Sequence, residues 1–390
     1  MNKLKFDSYD GVCFFNGLVF FAPVALLVRT HAGVSEHTFF LLQALLSAII
    51  FLGEIPTGFI TDKIGYRKSL IFAQILLLCA RVLLLLAFME KSLPLFVMEA
   101  VAEGIAVCFT SGTGNAYLYD IYKEEEYLLK MTHAENCGTA GFIISTIFYA
   151  VIYKTDGLEG LLITTVISNV IAVGISFFLK KDSTKNCGTK SCGTEKSSGM
   201  EILSILKKKE ALFFMLLLSI FSVAWLFINF FYVEKLTDCG IPAEWLSVVI
   251  LIYSAIQMLA EPILGKLQQF FKPKMFCLFS AVGGVAFLLF GSANNRVVVL
   301  LLMVFLPLLI SLPEYLLNDL ENQFVDETEH SNHRAAALSV LNMGVNFIDV
   351  ASLFASAALT QIGISWCFLL IGGLLLGMPA VIFKILSSSR

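Results

Sequence analysis

Twelve apolar stretches, each close to the roughly 20 residues a helix needs to cross a bilayer, run through the sequence. They lie at 11–29, 38–60, 70–89, 93–118, 134–153 and 159–179, then at 210–233, 244–265, 275–292, 297–318, 335–357 and 364–386. Backbone that leaves water must satisfy its own hydrogen bonds, so stretches of this kind are read as helices. The expected fold is an all-α membrane protein with twelve transmembrane helices in two pseudo-symmetric six-helix bundles. Hydrophobic residues make up 57% of the 390 and charged residues 15%, and the mean hydropathy is +0.82. Little chain is left over for a soluble domain. The formal net charge of -3 offers no basic surplus for nucleic acid.

Between the two sets of spans lies 180–209, where lysines alternate with Ser, Gly and Thr. Such a composition cannot bury enough apolar surface to fold. It divides the chain into an N-terminal bundle, 1–179, a flexible interdomain loop, 180–209, and a C-terminal bundle, 210–390. Cys187 and Cys192 form a C-x4-C pair within the loop, a spacing that allows a metal or a disulfide but is read as linker because metal-ligand pairs are usually tighter and come twice. Seven other cysteines (Cys13, Cys79, Cys108, Cys137, Cys239, Cys277 and Cys367) lie in or beside apolar runs and read as small packing groups, not as a secreted disulfide framework. With the N-terminus on the inside, 21 of the 27 Lys and Arg residues face the cytoplasm. Only Arg29, Lys91, Lys154, Lys235 and Arg296 are placed outside, and Arg81 within a span. Under the positive-inside rule both termini and the central loop are cytoplasmic, in the plasma membrane. The first apolar run carries Asp7 and Asp10 at its entrance and is read as an uncleaved span.

The halves echo each other. Glu54-Ile-Pro-Thr-Gly58, ending span two, matches Glu261-Pro-Ile-Leu-Gly265, ending span eight. Ala116-Tyr-Leu-Tyr-Asp120, ending span four, matches Glu314-Tyr-Leu-Leu-Asn-Asp319, ending span ten. Parallel repeats of this kind build alternating-access transporters, with substrate held between the halves.

After the first echo stands Gly58-Phe-Ile-Thr-Asp-Lys-Ile-Gly-Tyr-Arg-Lys68, which fits the pattern G-x-x-x-D-x-x-G-x-[RK]-[RK]. On Gly58, Asp62, Gly65, Arg67 and Lys68 the chain resembles the major facilitator superfamily, and the twelve-span layout extends the resemblance over its length. Physically, Gly58 permits close helix packing and Gly65 a tight turn. Asp62 can meet a basic side chain and a helix N-terminus. In the family this loop stabilises the outward-open state, so the resemblance implies a gating role for Asp62, Arg67 and Lys68. The preceding Glu-Ile-Pro-Thr-Gly element looks like a bacterial subgroup that includes exporters of drugs and metabolites. Elsewhere the family pattern thins. Gln269, Lys272 and Lys274 replace Asp62, Gly65 and Arg67 in the second half. Ala100 and Glu103 stand where many members carry Arg and Gln, and Gly138 and Gly141 lack the proline of the antiporter element.

Ionisable groups inside a bilayer are functional candidates by default. Glu99 and Glu103 share a helix face, with Glu103 near mid-span, and Arg81 falls at a depth from which it can pair with either. These and Asp349 are the proton-coupling candidates. Either Glu103 exchanges the proton, or an Arg81–glutamate pair simply holds spans three and four together. Asn342, Asn346 and Asp349 form a polar stripe along span eleven, which either lines a cavity or bonds a neighbouring helix. Asn16, Trp225, Asn229, Tyr232 and Gln257 are further cavity-lining candidates. Glu54, Glu261 and Glu314 sit near the inner surface, where water is close, and read as gate or interface groups, not as substrate ligands. Pro307 and Pro313 are expected to kink span ten. His31, His37, His133, His330 and His333 fall in connections or span ends, so no metal site is assigned. No P-loop, dinucleotide fingerprint or nucleophile elbow is present, and neither a cofactor nor an enzymatic activity is expected.

The reading these features support is a monomeric secondary active transporter in the lipid bilayer, driven by protons or another coupling ion, that exports small amphipathic molecules. Uptake of a sugar, organic acid or peptide by symport or facilitated diffusion is the alternative. A non-transporting receptor and a lipid scramblase stand behind it.

Overall fold

The structure, a computed structural model, describes residues 6–182, 204–267, 274–327, 334–360 and 363–388. Cys187, Cys192, Gln269, Lys272, His330 and His333 lie outside the described residues, as do the side chains of His37 and Lys274. The described residues are helical and contain no strand. The helices are α1 (Ser8–Gly17), α2 (Ala25–His31), α3 (Glu36–Ile64), α4 (Tyr66–Met89), α5 (Leu93–Thr110), α6 (Thr113–Ser176), α7 (Lys209–Asp238), α8 (Ala243–Gln257), α9 (Ala260–Leu267), α10 (Lys274–Ser292), α11 (Arg296–Asp326), α12 (Arg334–Thr360) and α13 (Ser365–Ser388). Ten stretches of the described residues are long and apolar enough to cross a membrane, and Ser365–Pro379 is a shorter apolar helix.

Three spans, the first, the fourth and the eighth, depart from single uninterrupted helices, the fourth breaking at Ser111 and Gly112 between α5 and α6. The first breaks after Gly17 and resumes through a 3-10 turn, Ala22–Val24, into α2. Pro23 sits in that turn, where its missing N–H costs nothing. The eighth is divided between α8 and α9 at Met258 and Leu259. Pro262, four residues after Met258, has no N–H to offer the Met258 carbonyl. The connection between spans four and five, by contrast, is helical and merges with spans five and six in the long α6. That element must double back, because Tyr117 Oη donates to the Lys180 carbonyl at 3.2 Å. Sixty-three residues of straight helix would hold them roughly 95 Å apart. Gly157, with φ +67°, supplies the left-handed backbone such a reversal needs. Helix α11 runs on through Pro307 and Pro313.

By contact, the chain groups into two compact units, Met1–Lys208 with Asn322–Met343, and Lys209–Glu321 with Gly344–Arg390. In the first, α1 packs on α6, α4 on α5 and α6, and α3 on α5. The α1–α6 contact is backbone on backbone: a Cβ at Gly17 would overlap the Gly138 carbonyl, and one at Gly141 the Phe14 carbonyl. In an apolar solvent helices gain little from hiding Leu, so close approach through small residues is what joins them. Within the unit, Phe20, Phe21, Val28, Leu84, Phe96 and Leu161 belong to one buried apolar cluster. In the second unit α10 packs on α13, and α13 on α7. Gly284 and Gly372 face each other there, a Cβ on either lying 2.9 Å from the other's carbonyl oxygen.

Candidate functional site

The segment 58–68 folds into a turn that grips two helix ends. Helix α3 continues through Asp62 to Ile64, and Gly65, at φ 95°, turns the chain directly into α4. From this position the Asp62 carboxylate accepts the backbone N–H of Ala335 at Oδ1 and of Ala336 at Oδ2, both at 3.0 Å. These are among the four donors at the start of α12 that no intrahelical carbonyl can satisfy, and the helix dipole adds to the attraction. Gly58, one turn earlier on α3, makes the approach possible. A Cβ there would stand 2.8 Å from Ala336 Cα. The basic side chain acting on Asp62 is Arg334, at a distance and without a direct bond. Arg334 is instead committed to Asn322, at 3.0 Å, and Asp326, with its guanidinium 4.2 Å from the Tyr119 ring centroid.

Arg67 holds the opposite kind of helix end. Its Nε donates to the Leu179 carbonyl at 2.8 Å and its Nη2 to Phe177 at 2.6 Å, just past the last turn of α6. Its backbone N–H donates to Asp182 at 2.9 Å. Burial holds the Asp182 carboxyl above the ordinary carboxylate range, with the Arg67 contacts pulling the other way. Gly65 is close-packed here too, since a Cβ would meet Asp182 Oδ2 at 2.7 Å. Lys68 is exposed.

Arg81, Glu99 and Glu103 sort into two ion pairs, one half-buried and one buried. Arg81 makes a two-pronged contact with Glu103, at 2.9 and 3.1 Å. Glu99 is taken by a different partner, Arg29, at 2.9 Å with both side chains almost fully buried. Arg29, counted from sequence as an outer-connection charge, is therefore an internal group of α2, seated also against Phe39 and Phe96. Glu54 is another correction: it is 1% exposed, so it is enclosed by protein and not turned to water.

In the second unit, Ser222 on α7 donates to Asp349 Oδ2 on α12 at 2.6 Å, while Asp349 Oδ1 is buried with no hydrogen-bond partner. Among the described residues no cation pairs with it. An apolar cavity lined by Val223, Phe227, Ile348 and Ser352 lies beside this pair. Trp225 lies against Tyr253 in a tilted pair with ring centroids 5.6 Å apart, Asn229 is exposed and donates to the Trp225 carbonyl, and Tyr232, Gln257 and Asn346 are half-buried. Asn342 donates to Ser111 at 3.4 Å. Asn16 is half-buried with its Oδ1 unpartnered.

One cluster escaped the sequence reading altogether. Lys130, fully buried on α6, pairs with Asp7 at 3.1 Å and with Asp10. Tyr122 donates to Asp7, and His133 Nε2 is 3.8 Å from Asp10 Oδ2. Asp10, His133 and Cys137 bring ligand-type atoms within 4.8 Å of one another. His133 thus belongs to a helix interior junction, not to a connection. The separation of about 120 residues between partners left no local pattern to find.

The family model described as Major Facilitator Superfamily matches residues 11–330. A solved structure of the E. coli fucose:proton symporter FucP is similar at TM-score 0.75 and 13% identity, covering 97% of each chain. One of the human organic anion transporter TETRAN is similar at TM-score 0.76 and 13% identity, covering 96% of this chain and 97% of that one. No curated protein matches by sequence.

Proposed function

Because the chain belongs to the Major Facilitator Superfamily, a family of membrane transporters, we propose that it works by alternating access as a proton-coupled exporter of small amphipathic compounds. In this reading it is a monomer of the plasma membrane with cytoplasmic termini. It falls in the bacterial subgroup that its Glu-Ile-Pro-Thr-Gly element suggests, and residues 1–179 and 210–390 act as its two domains. The observation that carries the reading is the Asp62 contact. Two hydrogen bonds from one carboxylate to the first N–H groups of α12 form a clasp that can be released whole, which is what a cytoplasmic gate requires.

Of the proton-coupling candidates, Asp349 is the better placed. Glu99 and Glu103 each have a guanidinium to neutralise them, whereas Asp349 has one Ser222 hydroxyl and a second oxygen with no donor. A carboxylate in that setting exchanges its proton when the site is wetted and dried in turn.

The test is accumulation of a cationic dye in a drug-hypersensitive bacterium expressing wild type, Asp62→Asn, Asp349→Asn and Glu103→Gln, with and without a protonophore. Protonophore-sensitive extrusion by wild type, abolished by Asp62→Asn and Asp349→Asn, is the expected result. Extrusion that survives Asp349→Asn but not Glu103→Gln returns the proton to the Arg81 pair. Absence of extrusion in a well-expressed wild type removes the broad-specificity exporter and leaves uptake or a narrow substrate.

A further inference from the structure

We propose that Asp10, His133 and Cys137 form a binding site for a borderline-soft divalent cation of the zinc class, joining the start of α1 to α6. The three donors are a carboxylate, an imidazole and a thiol, the set from which zinc sites are built. His133 and Cys137 are four residues apart and so share one face of α6. Asp10 reaches them from α1, the helix that packs on α6. Their ligand-type atoms already lie within 4.8 Å of one another. Donors on a tetrahedral ion with bonds of about 2.0–2.3 Å stand roughly 3.3–3.8 Å apart, so closure asks for side-chain adjustment only.

Asp10 supplies the second, independent sign of a missing ligand. Its side chain is fully buried. Oδ2 receives the Asp7 N–H, at 2.9 Å, and Lys130, but Oδ1 is buried with no hydrogen-bond partner at all. A buried carboxylate oxygen without a donor costs free energy unless something cationic meets it. Lys130 does not fill that role, because it bonds the other oxygen and shares itself with Asp7 at 3.1 Å.

Charge leaves room for a dication. Asp7, Asp10 and a metal-bound Cys137 thiolate are negative, Glu135 acts on Cys13 at the same junction, and Lys130 is the buried cation among them. Lys180, 3.5 Å from Asp7, is half exposed and screened by water. The His133 side chain is 23% exposed and gives the ion its way in. Three protein ligands leave a fourth position open. Cys13, one turn beyond Asp10, borders the same junction, its carbonyl 3.5 Å from where a Cβ on Gly138 would stand.

The test uses Co2+ as a spectroscopic probe on the purified full chain carrying Cys187→Ser and Cys192→Ser, which removes the loop pair as a competing chelator. One equivalent of Co2+ is expected to bind with a thiolate charge-transfer band and tetrahedral visible absorption, and Zn2+ to displace it. Cys137→Ser should abolish the band, His133→Gln should weaken Co2+ at least about tenfold, and Cys79→Ser should change neither. A second measurement needs no ligand substitution: in the same parent, Zn2+ should slow maleimide labelling of Cys137. Absence of the band in the parent, its persistence in Cys137→Ser, or labelling of Cys137 indifferent to Zn2+ would each overturn the site. None of these readouts depends on transport, so the outcome stands apart from the exporter reading.

Discussion

The guanidinium of Arg29 has almost left water, and Glu99, the Ala25 carbonyl and two aromatic faces compensate it. Removing one partner of such a pair strands the other charge in a low dielectric, a penalty of about 3–5 kcal/mol. Glu99→Gln is therefore expected to lower the free energy of unfolding by about 3 kcal/mol, measured by denaturant unfolding in detergent. Glu103→Gln should cost visibly less, since that carboxylate keeps 20% of its surface and Arg81 can recruit water once its partner is gone. Equal losses would mean that burial does not separate the two pairs. The pairing itself was half legible. Arg81 and the two glutamates announce themselves as charges in apolar runs. Arg29 stands at the end of a stretch broken by Gly17 and Pro23, where hydropathy alone cannot tell a loop charge from one folded back inside.

Among the helices, close approach is set by what is missing from glycine. The α3–α12 contact at Gly58 has no room for a methyl group beside Ala336 and Ser339, so Gly58→Val must push the two apart and detach Asp62 from its amides. On a Ser339→Cys background, where the reporter starts out buried, thiol labelling should then speed up severalfold. Unchanged labelling would show that the helices yield elsewhere. At the α1–α6 contact, the Cβ introduced by Gly141→Leu would overlap the Phe14 carbonyl on the facing helix, and no rotamer relieves that. The expected result is a sharp drop in monodisperse protein recovered from membranes, while Gly174→Leu, with open space around its Cβ position, is tolerated. Helix existence was readable from composition because lipid leaves the backbone few alternatives. The breaks at Gly17 and Met258 and the reversal at Gly157 depend on single residues inside long apolar runs, which a hydropathy window averages away. The motif at 58–68 was the most legible part of the site, since a turn with two glycines and three charges needs its spacing. The cluster around Asp10 was the least, because its partners meet only after α1 has docked on α6.

For the whole molecule, the distribution of Lys and Arg carries a topological prediction. Trypsin added to inside-out vesicles should cut within 181–209, where Lys185, Lys190 and Lys196 stand, and leave two large fragments. Right-side-out vesicles should protect that segment, and cleavage there would reverse the assigned orientation. A subtler consequence follows from the α3–α4 turn. Asp62 meets the amide end of one helix and Arg67 the carbonyl end of another, and neither touches the other. Their charges are thus matched to backbone polarity, which mutation cannot invert. The double exchange Asp62→Arg with Arg67→Asp preserves net charge, loop length and every glycine, yet it sets cation against donors and anion against carbonyls. Rescue by charge reversal, the usual signature of an ion pair, should fail here: the double variant should extrude dye no better than either single one. The turn is a polarised fitting, and it accepts its two helix ends in one sense only.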